Sequence, residues 1–130
     1  MKIKTPEYDT LASFESAIMA KSLGITDDVS PIFWGISGKS RGKLLEYHEY
    51  DMPKIPAPTI AGLIFFANSI GIQIKYENPE SGYYLSDEEG KNRVAGKDFN
   101  KTADMFIRIK MMHELKKRDI LNKNGEIINP

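Results

Sequence analysis

Cysteine is absent from the 130-residue chain, which removes disulfides, thiolate nucleophiles and thiolate metal sites together. Small secreted domains commonly depend on disulfides, so the absence points to a reducing compartment, and a cytoplasmic location is expected. An excess of charge is also absent: 18 Lys and Arg stand against 18 Asp and Glu. That balance removes the long-range attraction of a general nucleic-acid or acidic-membrane binder, and it weakens the self-repulsion that keeps copies apart. Long apolar runs are missing as well. The longest, Ile60 to Ala67, is interrupted by Gly62 and falls far short of the ~20 residues needed to cross a bilayer. The opening Met-Lys-Ile-Lys-Thr-Pro has no apolar core of a signal peptide. No membrane partner is expected.

What is present reads as one globular domain over residues 1–130. Hydrophobic residues make up 41% and charged residues 28%, an ordinary balance for a chain that can bury a core. Three segments carry helical periodicity. Thr10–Leu23 places Leu11, Phe14, Ala17, Ile18 and Leu23 on one stripe, with Asp9 or Thr10 as cap and Gly24 as terminator. Thr59–Ile70 opens on Pro58 and the Thr59 hydroxyl, buries Ile60, Leu63, Ile64, Ala67 and Ile70, and closes on Gly71. Phe65 and Phe66 widen its apolar face, so this helix is expected to be the most buried. Lys101–Asp119, capped by Asn100 or Thr102, turns Ala103, Phe106, Ile107, Met111 and Leu115 inward. Lys116, Lys117 and Arg118 complement the dipole at its end.

Elsewhere the period is two. Ile32, Trp34 and Ile36 alternate in Pro31–Ser37, a Gly-Lys-Ser-Arg-Gly turn follows, and Lys43–Tyr50 returns as the second arm of a hairpin. Ile72, Ile74 and Tyr76 alternate with Gln73, Lys75 and Glu77, and beyond the Asn78–Gly82 turn Tyr83–Ser86 returns as a partner strand. Residues 87–97 are polar and read as a mobile loop; about 1–8 and 122–130 are expected to fray. The order α-β-β-α-β-β-α predicts an α+β fold: one four-stranded, mainly antiparallel sheet with three helices on one side. Leu-Gly-Ile at 23–25 and Ile-Gly-Ile at 70–72 read as the same helix-ending chemistry used twice rather than as an internal duplication.

No catalytic or cofactor motif stands in the chain. Gly38-Lys39-Ser40 resembles the end of a phosphate-binding loop, but Phe33 occupies the place of its first glycine and a strand, not a helix, is expected to follow. Lys39, Arg41 and Lys43 still set three positive charges on one turn beside Trp34, a combination that can hold a nucleic-acid strand by phosphate contact and stacking. Glu46 and His48, with Glu49 and Asp51 close by, would share a strand face and offer two ligands or an acid–base pair. The other histidine, His113 beside Glu114, lies on the third helix. No spacing supplies a third ligand or a nucleophile, so no metal, cofactor or catalytic residue is assigned. Met105, Met111 and Met112, with Met19 and Met52, read as gap-filling core.

Ser13-Phe14-Glu15-Ser16-Ala17 followed by Ala20-Lys21-Ser22-Leu23-Gly24, then Pro56-Ala57-Pro58-Thr59 before an apolar helix and Ile72-Gln73-Ile74, resemble an uncharacterised family. It comprises small hypothetical proteins common in gut Bacteroidales and their phages and mobile elements. Leu-Gly-Ile replaces that family's glycine–phenylalanine helix ending, and residues 87–97 have no counterpart in it. The resemblance implies an accessory or counter-defence role and no catalytic residues. The leading expectation is a non-enzymatic interaction module, homo-oligomeric or binding another protein through a sheet edge or exposed aromatics. A ligand- or nucleic-acid-binding protein built on Trp34, Lys39, Arg41 and Lys43 is the second. An enzyme with an unrecognised site near Glu46 and His48 is the third.

Overall fold

Ser13 opens the first helix, α1 (Phe14–Ser22), because its extended backbone lets the side-chain oxygen accept from Ser16 N at 3.2 Å. A computed structural model describes residues 11–77, 82–87 and 93–119. In it α1 is followed by β1 (Phe33–Gly35), β2 (Lys54–Pro56), α2 (Ile60–Ser69), β3 (Lys75–Glu77), β4 (Tyr83–Ser86), β5 (Val94–Gly96) and α3 (Phe99–Lys117). The class is α+β, and the order is the expected one with a strand added.

Helices α1 and α2 are closed by one device. Leu23-Gly24-Ile25 and Ile70-Gly71-Ile72 each place glycine at positive φ, 109° and 92°. The isoleucine N–H then reaches back to the carbonyls of Ala20 and Ala67, both at 2.9 Å, and the glycine N–H to those of Lys21 and Asn68, both at 3.1 Å. These paired bonds satisfy carbonyls that the helix leaves over. Ile25 and Ile72 are thereby folded under into the core, so the shared tripeptide reports a common mechanical task. Thr59 caps α2 as expected, its hydroxyl accepting from Gly62 N at 3.0 Å. The cap of α1 is Ser13 rather than Thr10 or Asp9, which lie outside the described residues; the cap of α3 is Asp98 rather than Asn100 or Thr102.

The centre of the molecule is α3. Ala103, Phe106, Ile107, Met111 and Leu115 are all fully buried, as their spacing predicts, and α3 packs on α1, α2, β4 and β5. Each large apolar side chain taken from water there contributes about 1.5–3 kcal/mol. The expectation that α2 is the most buried helix is corrected: it fully buries only Ile60, Leu63 and Ala67, and Phe65 is 78% exposed. Both Phe65 and Phe66 lie beside the Ile60–Leu63–Ala67 stripe, and only Phe66 reaches the core. The methionine reading divides likewise. Met111 is buried and Met19 packs on the core, whereas Met52 and Met105 are exposed.

The sheet is two sheets, not one of four strands. β1 and β2 pair antiparallel with Trp34 opposite Ile55, and β3, β4 and β5 form a second antiparallel sheet in that order. The hairpin arm expected at Lys43–Tyr50 is therefore a correction. Leu44 makes a single bridge to Trp34, after which Tyr47–Glu49 forms a 3-10 turn with Glu49 Oε1 accepting from Glu46 N at 3.1 Å. Tyr50 fastens that turn: its ring meets Phe33 edge-on at 5.2 Å and its hydroxyl donates to Pro31 O at 2.8 Å. The chain returns to β1 only at Lys54. The loop expected over 87–97 is also corrected in part, because Val94–Gly96 adds the third strand to β4. The expected mobility of residues 88–92, and of both termini, lies outside the described residues.

Candidate functional site

The six candidates from the sequence do not converge. Trp34 is half-buried and meets Phe14 edge-on, with ring centroids 5.8 Å apart and planes at 67°. Its indole N–H is buried with no acceptor among the described residues. Arg41 is occupied locally: its guanidinium lies 5.4 Å from the centre of the Phe14 ring and donates to Ile36 O at 3.1 Å. Lys39 and Lys43 face elsewhere, into an open cleft of about 490 Å³ shared with Glu46 and Glu49. Two ammonium groups meet two carboxylates there, so the cleft has no net charge. The glycine-lysine-serine segment is a 3-10 turn in which Ser40 N and Oγ both donate to Ser37 O; its amides form no phosphate cradle.

Glu46 and His48 do approach each other, although on a 3-10 turn rather than a strand. Glu46 Oε2 lies 3.6 Å from His48 Nδ1, with the two side chains 76% and 73% exposed. Water surrounds the pair, and exposed charges this far from a low-dielectric site interact weakly. No group of three or more His, Asp or Glu side chains among the described residues is placed to hold a metal ion. His113 lies instead at a second open cleft, of about 310 Å³, with Glu114, Lys117 and a half-buried ion pair between Lys110 and Asp87 at 3.4 Å. The sequence signal for that cleft was the i, i+3, i+4, i+7 spacing of Lys110, His113, Glu114 and Lys117.

The second sheet carries an exposed strand edge. β3 forms one edge, its partner β4 lies on one side only, and no strand pairs with the other side among the described residues. All three β3 residues are exposed. The pleat separates their side chains. Tyr76 points to the face on which α3 lies, where it touches Phe99 at a centroid distance of 6.0 Å, and it remains 55% exposed. Opposite it in register, Leu85 is fully buried. Lys75 and Glu77 point to the other face. There Glu77 pairs with Arg93 at 3.7 Å, and the Arg93 guanidinium sits 4.3 Å above the Tyr84 ring. The alternation of Ile72, Ile74 and Tyr76 with Gln73, Lys75 and Glu77 announced a strand. Its position at an edge depends on β4 and β5, which the local pattern does not contain.

Other large apolar side chains stand in water, chiefly Tyr47 at 90% and Phe65 at 78% exposed. They lie on separate elements and make no common groove. No helix among the described residues is long and apolar enough to cross a membrane. Compared with known protein families, curated proteins and solved structures, the chain has no match.

Proposed function

We propose that this protein is a non-enzymatic interaction module that docks a polypeptide along the outer edge of β3. The observation that carries this reading is the edge left unpaired among the described residues, with Lys75, Tyr76 and Glu77 exposed. An edge strand offers a row of unsatisfied N–H and C=O groups, a template for an added strand. Tyr76 adds an aromatic anchor, the kind of side chain enriched at protein interfaces. An enzymatic reading is less well supported, because the Glu46–His48 pair stands in solvent and lacks the desolvated pocket that strengthens acid–base and electrostatic catalysis. The resemblance to proteins of phages and mobile elements fits an accessory role of this kind.

Site-specific photocrosslinking tests the proposal. With a benzophenone amino acid at position 76 in the full chain, irradiated in the cells that produce it, covalent adducts to polypeptide are expected. The same group at the exposed Asn68 of α2 serves as the comparison. Equal labelling at both positions, or none at 76, overturns the assignment of the β3 edge.

A further inference from the structure

We infer that the occupant of the β3 edge is a second copy of this chain, paired antiparallel about a two-fold axis through Tyr76. The inference rests on the reading of that edge as the docking site and names the partner. In an antiparallel pair centred on Tyr76, Tyr76 faces its own counterpart, Lys75 faces the partner's Glu77, and Glu77 faces the partner's Lys75. Both charged contacts are attractive, and each is generated from the other by symmetry, as an isologous interface requires.

The alternatives fail on the same few residues. Centring the pair on Lys75 sets two ammonium groups directly opposite one another, and centring it on Glu77 does so with two carboxylates; like charges opposed across a strand pair are destabilising. Centring it between residues would oppose Tyr76 to a residue of the other face, which a regular antiparallel pair does not allow. All three residue-centred registers join like faces, and of them only the Tyr76-centred one opposes unlike charges. On the helix side it brings the two exposed Tyr76 rings together, each backed by Phe99. Half-buried Ile74, which packs against the core, lies in line with them. On the open side it sets Lys75 opposite the partner's Glu77, the carboxylate that pairs with Arg93 within its own copy. A zero formal net charge sets no overall repulsion against the approach of two copies.

Charge reversal tests the register directly. Light scattering on the full-length chain in about 0.1 M salt, where charges within ~10 Å still sense one another, is expected to report a concentration-dependent dimer. Lys75→Glu sets a carboxylate opposite the partner's Glu77 in both symmetry-related contacts, and Glu77→Lys sets an ammonium group opposite the partner's Lys75 in both. Each variant alone is expected to raise the dimer dissociation constant by about tenfold or more. An equimolar mixture of the two variants restores both attractive pairs, and a heterodimer is expected at wild-type concentrations. A misfolded variant would not be rescued by mixing. A wild-type chain that stays monomeric, variants that dimerise as well as wild type, or a mixture that stays monomeric would each overturn the inference. If the wild type is monomeric while position 76 still crosslinks to a different polypeptide, the docking edge stands and only its self-pairing is lost.

Discussion

Gly35 shows how closely one residue can govern a turn. A Cβ added there would lie 2.5 Å from Ser40 O and 2.7 Å from Ser40 Cβ, because the Gly38–Ser40 turn folds back over β1. Gly35 N donates to Lys43 O at 2.9 Å, and Gly35 O accepts from Gly42 N at 3.0 Å, so neither strand nor turn can withdraw without breaking a bond. Gly35→Ala is therefore expected to destabilise the protein by about 1–3 kcal/mol, read as a lower urea midpoint with the slope unchanged. Asp104 is a second residue whose role is structural. It is buried, accepts from Ser13 N at 2.9 Å and pairs with Arg108 at 3.5 Å. Its carboxylate thus ties the start of α1 to α3, and the burial of charge is offset by the two partners.

Among the elements, α3 and α2 exchange the roles their sequences suggest. α2 is rich in apolar residues but exposes one side; α3 has more charge, yet its inward stripe meets α1, α2, β4 and β5. Replacing Phe106 on α3 by Ala is expected to cost about 3–5 kcal/mol. The same change at Phe65 on α2 is expected to stay within about 0.5 kcal/mol. Chemical denaturation of the two variants side by side checks the contrast. Comparable losses would show that the outer face of α2 is covered.

At the scale of the whole molecule the charges are balanced and the basic turn is dispersed. Trp34 is turned against Phe14, Arg41 is bonded to Ile36 O, and Lys39 and Lys43 share a cleft with Glu46 and Glu49. Nucleic-acid binding draws on clustered cations with free aromatic faces, and Trp34, Lys39, Arg41 and Lys43 are not gathered into one such surface. The triple variant Lys39→Ala, Arg41→Ala, Lys43→Ala is expected to match wild type in a fluorescence-anisotropy titration with single-stranded oligonucleotides, and to self-associate equally well. A wild-type affinity lost in the variant would restore the nucleic-acid reading and move attention away from β3.

The sequence by itself determined the elements whose signals are local. The stripe of α3 is complete in its own spacing, Thr59 caps α2 from within one turn, and the two glycine-isoleucine endings carry their own closing bonds. The β3–β4 pairing was legible too, because alternation and an intervening turn signal fall within one short stretch. Tertiary structure alone decided what β1 pairs with, since Lys54-Ile55-Pro56 is too short and proline-flanked to read as a strand. The pairing sets Trp34 opposite Ile55, and the contact of Phe33 with Tyr50 beside it is likewise made only in the fold. It also decided that Val94–Gly96 joins β4 and that β3 therefore becomes an edge. The candidate site followed from that pairing and not from any cluster of reactive side chains, since an edge is defined by the strand that is missing beside it.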